Sequence, residues 1–302
     1  MLLILPPTLW GIVGWFAAPN FIHPHRRQLT PDLVQQADRV FNRVGASREE
    51  FVLRAPDGIV LRGWKVRPGT PNGNWILLFH GIADNRTGVI GHAEPLLGAG
   101  YGVVMMDSRA HGGSEGPMAT YGWIERNDTQ AIVDALDSSE HPDHLFAFGE
   151  SMGAGIALQS AAIDSRIEAV VAEASFASLR EASYDYAGLR WSPLLGRTLF
   201  VPFSWALLYH GESLARFSAR GVSPEDAVAM RPFSVLLICD EKDVVLPCRH
   251  MRRIYAAARG PKELWVVPEA SHTGGLGVRP AEFKRRVLQF YKRYDSIKAR
   301  VQ

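Results

Sequence analysis

The sequence predicts an α/β fold, with a mostly parallel central sheet covered by helices on both faces, an antiparallel amino-terminal hairpin and a small helical cap insertion. Three observations carry this. Short apolar runs recur along the chain, stretches of helical length separate them, and one long aromatic-rich stretch interrupts the alternation.

Thr30-Pro31 supplies a cap residue followed by proline. Leu33, Val34, Ala37, Val40 and Phe41 then repeat at helical spacing, so a short helix is expected over residues 32–43. Residues 51–54 and 59–66 are rich in β-formers and flank Pro56-Asp57-Gly58, which reads as a hairpin at the sheet edge. Residues 75–79, 102–106, 145–148, 167–171 and 235–238 are almost wholly apolar, as strands buried on both faces must be. Helices are expected near residues 86–99, 123–138, 152–162, 248–258 and 281–294, and strands joined through them lie parallel. Residues 176–232 are too many for a loop and carry Tyr184, Tyr186, Trp191, Phe200, Phe203, Trp205 and Tyr209. We read them as a cap over the carboxyl ends of the strands, where open α/β sheets bind ligands. The expected organisation is one domain, residues 28–302, preceded by an apolar segment, residues 1–27.

Apolar residues make up 47% of the chain and charged residues 21%, ordinary values for a globular protein with a buried core. The formal charge is +2, with Lys and Arg scattered rather than gathered into a stripe, which argues against nucleic acid as a partner. Cys239 and Cys248 lack the spacing of a metal site or a disulfide framework and read as two reduced thiols. No phosphate-binding loop ending in Lys-Ser or Lys-Thr occurs, no GxGxxG follows the first strand, and no metal-ligand cluster stands out. Neither a cofactor nor a metal is therefore expected.

Residues 2–22 carry no charged side chain, about the length that spans a bilayer as a helix. Pro6, Pro7 and Pro19, with Gly11, Gly14 and Asn20, make this a poor spanning helix. A cleaved signal peptide fits worse, because no Lys or Arg precedes the run and Ala17-Ala18 leads directly into Pro19. Two expectations stand: a membrane or interfacial anchor, or an apolar arm packed on its own domain or on a partner. His23-Pro24-His25-Arg26-Arg27 places positive charge on the carboxyl side, which leaves the main domain cytoplasmic if the segment spans. Without an anchor, a soluble cytoplasmic protein is expected.

The chemistry centres on Gly149-Glu150-Ser151-Met152-Gly153, a GxSxG run that follows the strand 145–148 and opens a helix of small residues. A serine on such a sharp strand-to-helix turn is presented at the sheet's edge as a nucleophile, and glycines two residues before and after it leave room for close packing. Its hydroxyl needs a base and an orienting carboxylate. His272 lies in a loop after the β-rich run 264–267, while Asp240, Glu241 and Asp243 share the loop after the strand 235–238. The order Ser, acid, His is the one this strand-turn-helix chemistry uses. His141, His144, His210 and His250 sit at positions better suited to surface or structural roles. The turn His80-Gly81-Ile82-Ala83 ends the first apolar strand, so the backbone N–H groups of Ile82 and Met152 are the expected oxyanion-hole donors. Glu150, Glu173 and the polar run around His111 read as supporting structure.

His80-Gly81, the run Asp107-Ser108-Arg109-Ala110-His111-Gly112-Gly113-Ser114, the turn at Ser151, Asp243 and His272 together resemble the ordered motifs of the α/β-hydrolase superfamily. Asp57-Gly58 with Leu61-Arg62-Gly63-Trp64, Arg86, and Ser223-Pro224-Glu225 are similar to bacterial relatives of the Bem46-type serine hydrolases. The resemblance implies a Ser151 nucleophile, a His272 base and an Asp243 orienter. Two departures are visible: Ala110 stands where the family usually has Gly, and Cys239-Asp240 replaces the common His-Gly before the acid. The expected activity is hydrolysis of small carboxylic esters with apolar groups, through an acyl-enzyme. Thioester or amide cleavage would use the same machinery, and a non-catalytic scaffold is disfavoured by the intact Ser, Asp and His set.

Overall fold

The computed structural model describes residues 7–295, so residues 1–6 of the apolar segment lie outside it. The chain begins with α1 (Pro7–Ile22) and α2 (Pro31–Arg43), then β1 (Ser47–Arg54), β2 (Val60–Arg67) and β3 (Trp75–Phe79). There follow α3 (Ile90–Gly98), β4 (Gly102–Met106), α4 (Glu125–Glu140), β5 (Leu145–Glu150), α5 (Met152–Ile163) and β6 (Ile167–Glu173). Four helices come next: α6 (Leu179–Gly188), α7 (Pro193–Gly196), α8 (Val201–Ala215) and α9 (Pro224–Met230). The last elements are β7 (Ser234–Asp240), α10 (Arg249–Ala257), β8 (Lys262–Val267), α11 (Gly275–Val278) and α12 (Pro280–Asp295).

The strands form one sheet in the order β1-β2-β4-β3-β5-β6-β7-β8. The hairpin β1-β2 is antiparallel and β2 joins β4 antiparallel, while every pairing from β4 to β8 is parallel. Side chains alternate between the two faces with the period of a strand. In β5, Leu145 and Ala147 face one core with Ile132 and Leu136 of α4 and Met251 and Ile254 of α10. Phe146 and Phe148 face the other, with Phe41 of α2, Leu96 of α3 and Phe290 of α12. Each such fully buried aliphatic or aromatic side chain contributes about 1.5–3 kcal/mol. These two layers leave the carboxyl ends of β3, β5, β6, β7 and β8 along one edge.

Residues 176–232 divide between two places. Residues Ala227 and Val228 of α9 return to the sheet core, while Leu179 of α6 and Leu208 of α8 form a third cluster with Ile22 of α1 and Leu246. Helix α1 lies along α8 so closely that a Cβ on Gly14 would fall 2.2 Å from the carbonyl oxygen of Phe203. Trp15 stacks on His210, centroids 3.8 Å apart, and its carbonyl accepts from His210 Nδ1 at 2.8 Å. Pro19 lies inside this helix rather than ending it. Its missing N–H and its ring disfavour an interior position, and the packing along α8 offsets that cost. Among the described residues, no helix is long and apolar enough to cross a membrane.

The expectation of two reduced thiols is corrected: Cys239 and Cys248 are paired as a disulfide, with Cα atoms 5.4 Å apart. The loop after β7 returns beside the strand and brings them together, within the span a disulfide bridges. Nine residues of separation carry no pattern that announces this.

Because the Gly14 contact is backbone on backbone, Gly14→Val should loosen α1 from α8. We expect a loss of about 1–3 kcal/mol in denaturant unfolding, with faster proteolytic cleavage before residue 28.

Candidate active site

Strand β5 ends at Glu150 and α5 starts at Met152, so Ser151 alone makes the turn, with φ 53° and ψ −118°. Two close approaches hold it there. A Cβ on Gly149 would lie 2.3 Å from the Gly153 carbonyl oxygen, and one on Gly153 would lie 2.3 Å from the carbonyl oxygen of Phe79. The Ser151 N–H donates to the Glu173 carbonyl at 2.9 Å, which fastens the turn to the end of β6.

Ser151, His272 and Asp243 come together across more than one hundred residues of sequence. Ser151 Oγ lies 2.9 Å from His272 Nε2, and His272 Nδ1 lies 2.7 Å from Asp243 Oδ2. The network assigns the tautomer: Nδ1–H donates to Asp243, and Nε2 is left to accept from the serine hydroxyl. Asp243 is buried, and its Oδ1 accepts from the N–H groups of Val245 at 2.8 Å and Leu246 at 2.9 Å. Asp240 is also buried but forms no hydrogen bond with the imidazole, and Glu241 accepts instead from the Glu269 N–H. Burial, and then Asp243, push the Asp240 carboxyl up to about 7.

Ile82 and Met152 stand beside Ser151 in the wall of a cavity of about 290 Å3. Met152 is the first residue of α5, where backbone N–H groups have no acceptor within the helix. The turn before Ile82 is shaped by His80, whose Nδ1 donates to the Gly81 carbonyl at 2.7 Å and whose Nε2 accepts from the Ser108 N–H at 3.0 Å. His80 is thus engaged at both nitrogens. His111 packs edge-on to it and is buried, which lowers its pKa to about 4 and keeps it neutral. The loops that carry them, one after β3 and one after β4, are tied together by Asp107, which accepts from Arg86 Nη2 at 2.8 Å, from the Arg86 N–H at 2.7 Å and from the Gly113 N–H at 2.7 Å. Of the other histidines, His250 accepts from the Ala177 N–H at 3.2 Å and lies 2.6 Å from Asp185, far from the serine in its bonding.

Among the described residues, His92, Glu150 and Glu173 bring one potential ligand atom each within 4.8 Å of one another. His92 Nε2 already faces Glu150 at 3.4 Å, and the adjoining space, about 10 Å3 against Phe148 and Phe283, holds no shell of water around an ion. His92 Nδ1 and Glu173 Oε2 have no hydrogen-bond partner.

Residues 70–205 match the family described as serine aminopeptidase, S33. The uncharacterized protein Rv2307c of Mycobacterium tuberculosis is 30% identical over 227 residues, 74% of this chain and 72% of its own. WAV2 of Arabidopsis thaliana, described as an α/β hydrolase domain-containing protein, is 27% identical over 82% of this chain and 79% of its own. The structure of the esterase Pf2001 from Pyrococcus furiosus covers 90% of this chain and 98% of its own, with a TM-score of 0.72 at 22% identity. The chain belongs to the α/β-hydrolase superfamily.

Within that superfamily fold, several wall residues of the cavity escape a sequence reading. Asn20, Phe21 and Pro24 come from the amino-terminal arm and Tyr121 from the loop before α4. Tyr121 donates its hydroxyl to the Phe21 carbonyl at 2.6 Å and stacks on the Phe21 ring at 4.8 Å. Arg26 donates to the Ser114 carbonyl at 2.7 Å and also to Gly116. Nothing local marks these contacts, since each joins residues about 90 to 100 positions apart.

Arg86 and Asp107 form a buried ion pair, and removing one partner strands the other charge. Arg86→Met should therefore cost about 3–5 kcal/mol in denaturant unfolding.

Proposed function

We propose that the protein is a serine hydrolase that cleaves carboxylic esters bearing apolar groups, through an acyl-enzyme on Ser151. The observation that carries this is the continuous hydrogen-bonded line from Ser151 Oγ through His272 to Asp243, opening onto an apolar cavity. His272 Nε2 takes the hydroxyl proton as Oγ attacks the ester carbonyl, and the imidazolium so formed is stabilised by Asp243. Charge that grows on the carbonyl oxygen meets the N–H groups of Ile82 and Met152. The proton passes from Nε2 to the departing alcohol, and a water activated by the same nitrogen releases the acid.

The cavity explains the preference for an ester with an apolar group. Phe21, Tyr121, Phe176, Leu179, Val245 and Leu246 are among the residues that line it. Among the described residues that line it, no Asp or Glu stands to receive the free amino group of a peptide substrate. This favours esters over the aminopeptidase activity named in the matching family description.

The proposal is tested with a panel of p-nitrophenyl esters of increasing acyl length, acyl thioesters and aminoacyl amides. Each methylene that enters the cavity is worth about 0.8 kcal/mol, so kcat/KM should rise roughly fourfold per carbon until the cavity is filled. Turnover confined to thioesters or aminoacyl amides would overturn the ester reading. Ser151→Ala should abolish both turnover and labelling by a fluorophosphonate.

Asp243→Asn should lower kcat by about 10^4 because it spoils the tautomer of His272. Asp240→Asn, at a residue that forms no hydrogen bond with the imidazole, should cost far less at the activity optimum. Equal losses in the two variants would refute the assignment of Asp243 as orienter.

A further inference from the structure

Beneath the loop that carries His272 lie two carboxyls that the proposed chemistry does not use. Glu173 ends β6 and Asp240 ends β7, and both are buried to within 1%. They flank Gly275: a Cβ there would be 2.7 Å from Glu173 Oε1 and 3.2 Å from Asp240 Oδ1, so the two oxygens are separated by no more than the sum of these distances. Glu173 Oε1 accepts the Gly275 N–H at 2.9 Å, whereas Glu173 Oε2 has no hydrogen-bond partner. Neither oxygen of Asp240 has a hydrogen-bond partner, although the nearby Thr273 and Gly274 N–H groups favour its charged form. The loop after His272 thus gives this carboxyl pair one bonded donor, Gly275, and leaves three of its four oxygens without one.

No Lys or Arg among the described residues forms an ion pair with either carboxyl. The titratable groups that face the pair are Glu150 from β5, with His92 of α3 beyond it, and Asp243 and His272. Two of these four are carboxyls and two are imidazoles. Two carboxylates at close range in a buried site cannot both ionise without a large cost.

We propose that Glu173 is a positioning residue for His272, and that Glu173 and Asp240 hold one proton between them at neutral pH, forming an acid–carboxylate clamp around Gly275. This rests on His272 acting as the base. The clamp reaches the nucleophile too, because the Glu173 carbonyl accepts from the Ser151 N–H. One residue at the end of β6 therefore sets the separation of Ser151 and His272.

The direction of the titration fits this placement. Burial, and then Asp240, drive the Glu173 carboxyl well above the ordinary carboxylate range. A carboxyl raised in this way holds a proton in the fold that the unfolded chain gives up. Its contribution is complete below the unfolded value and is lost as pH rises through the folded value. The window runs from the ordinary carboxylate range to beyond about 7, the value for Asp240. Losing the proton adds a second buried negative charge and loosens the clamp.

The test uses the full chain, with denaturant unfolding followed between about pH 5 and pH 9. In wild type the unfolding equilibrium constant should climb by up to about tenfold per pH unit within the window. Glu173→Gln, whose amide oxygen still accepts from Gly275, should flatten that climb. Glu173→Ala should lower kcat with KM little changed, and Gln at the same position should restore most of kcat. An unaltered pH slope in Glu173→Gln would sink the shared proton, as would a wild-type stability that falls on dialysis against EDTA and returns with a divalent cation. Should Glu173→Gln fail to fold, Asp240→Asn serves, with the same flattening expected and the same unaltered slope overturning the idea. The stability measurement needs no substrate, so it stands apart from the ester panel.

Discussion

Gly149, Gly153 and the carbonyl of Phe79 approach one another so closely that no side chain fits between them, and the chain can turn from β5 into α5 only through Ser151 at positive φ. Strain of this kind costs about 1–3 kcal/mol and persists only where the surroundings leave no alternative. Here the surroundings are the sheet itself. With β5 between β3 and β6, one neighbour delivers the Gly81 turn against Ser151 and the other delivers the Glu173 carbonyl to its N–H. The next strands, β7 and β8, release Asp243 and His272 along the same edge. Strand order and one forced turn therefore determine which loops can meet.

That dependence accounts for what a sequence can disclose. The continuous apolar runs of β3 and β5, buried on both faces, the hairpin at Asp57-Gly58 and the small-residue helix after Ser151 are local patterns, and each was legible because its cause lies within a few residues. The grouping of Ser151 with His272 and an acid of the loop after β7 was legible through their order along the chain, whereas Asp243 was singled out within that loop only by the family resemblance. The disulfide, the course of α1 through Pro19 and the wall built from Phe21 and Tyr121 were not, because they depend on residues brought together from a distance. The run of prolines and glycines in residues 6–20 argued against a continuous helix on propensity alone. Contact with α8, which no local rule contains, reversed that outcome.

Charge is arranged differently on the two flanks of the serine. Toward β4, buried acids are matched by arginines: Asp107 by Arg86, and Asp128 by Arg109 at 2.6 Å and 2.7 Å. Toward β7, Glu173 accepts from one backbone N–H and Asp240 from none, and among the described residues neither pairs with an arginine. Even beside Arg109, burial pushes the Asp128 carboxyl up to about 6. If Glu173 and Asp240 share a proton as proposed, the geometry of the base loop responds to pH as well.

The apolar arm gains a second meaning from this geometry. A segment without charge over residues 2–22 suggests contact with lipid when considered alone, yet its carboxyl end is spent inside the chain. Ile22 is fully buried, the Ile22 carbonyl accepts from the Ala119 N–H at 2.9 Å, and Phe21 stacks on Tyr121. These contacts tie the arm to the loop that precedes α4 and to the cap helices at once. Shifting α1 along α8 would therefore move Asn20 and Phe21 relative to Ser151, so the packing of an amino-terminal helix and the shape of the cavity are one constraint rather than two.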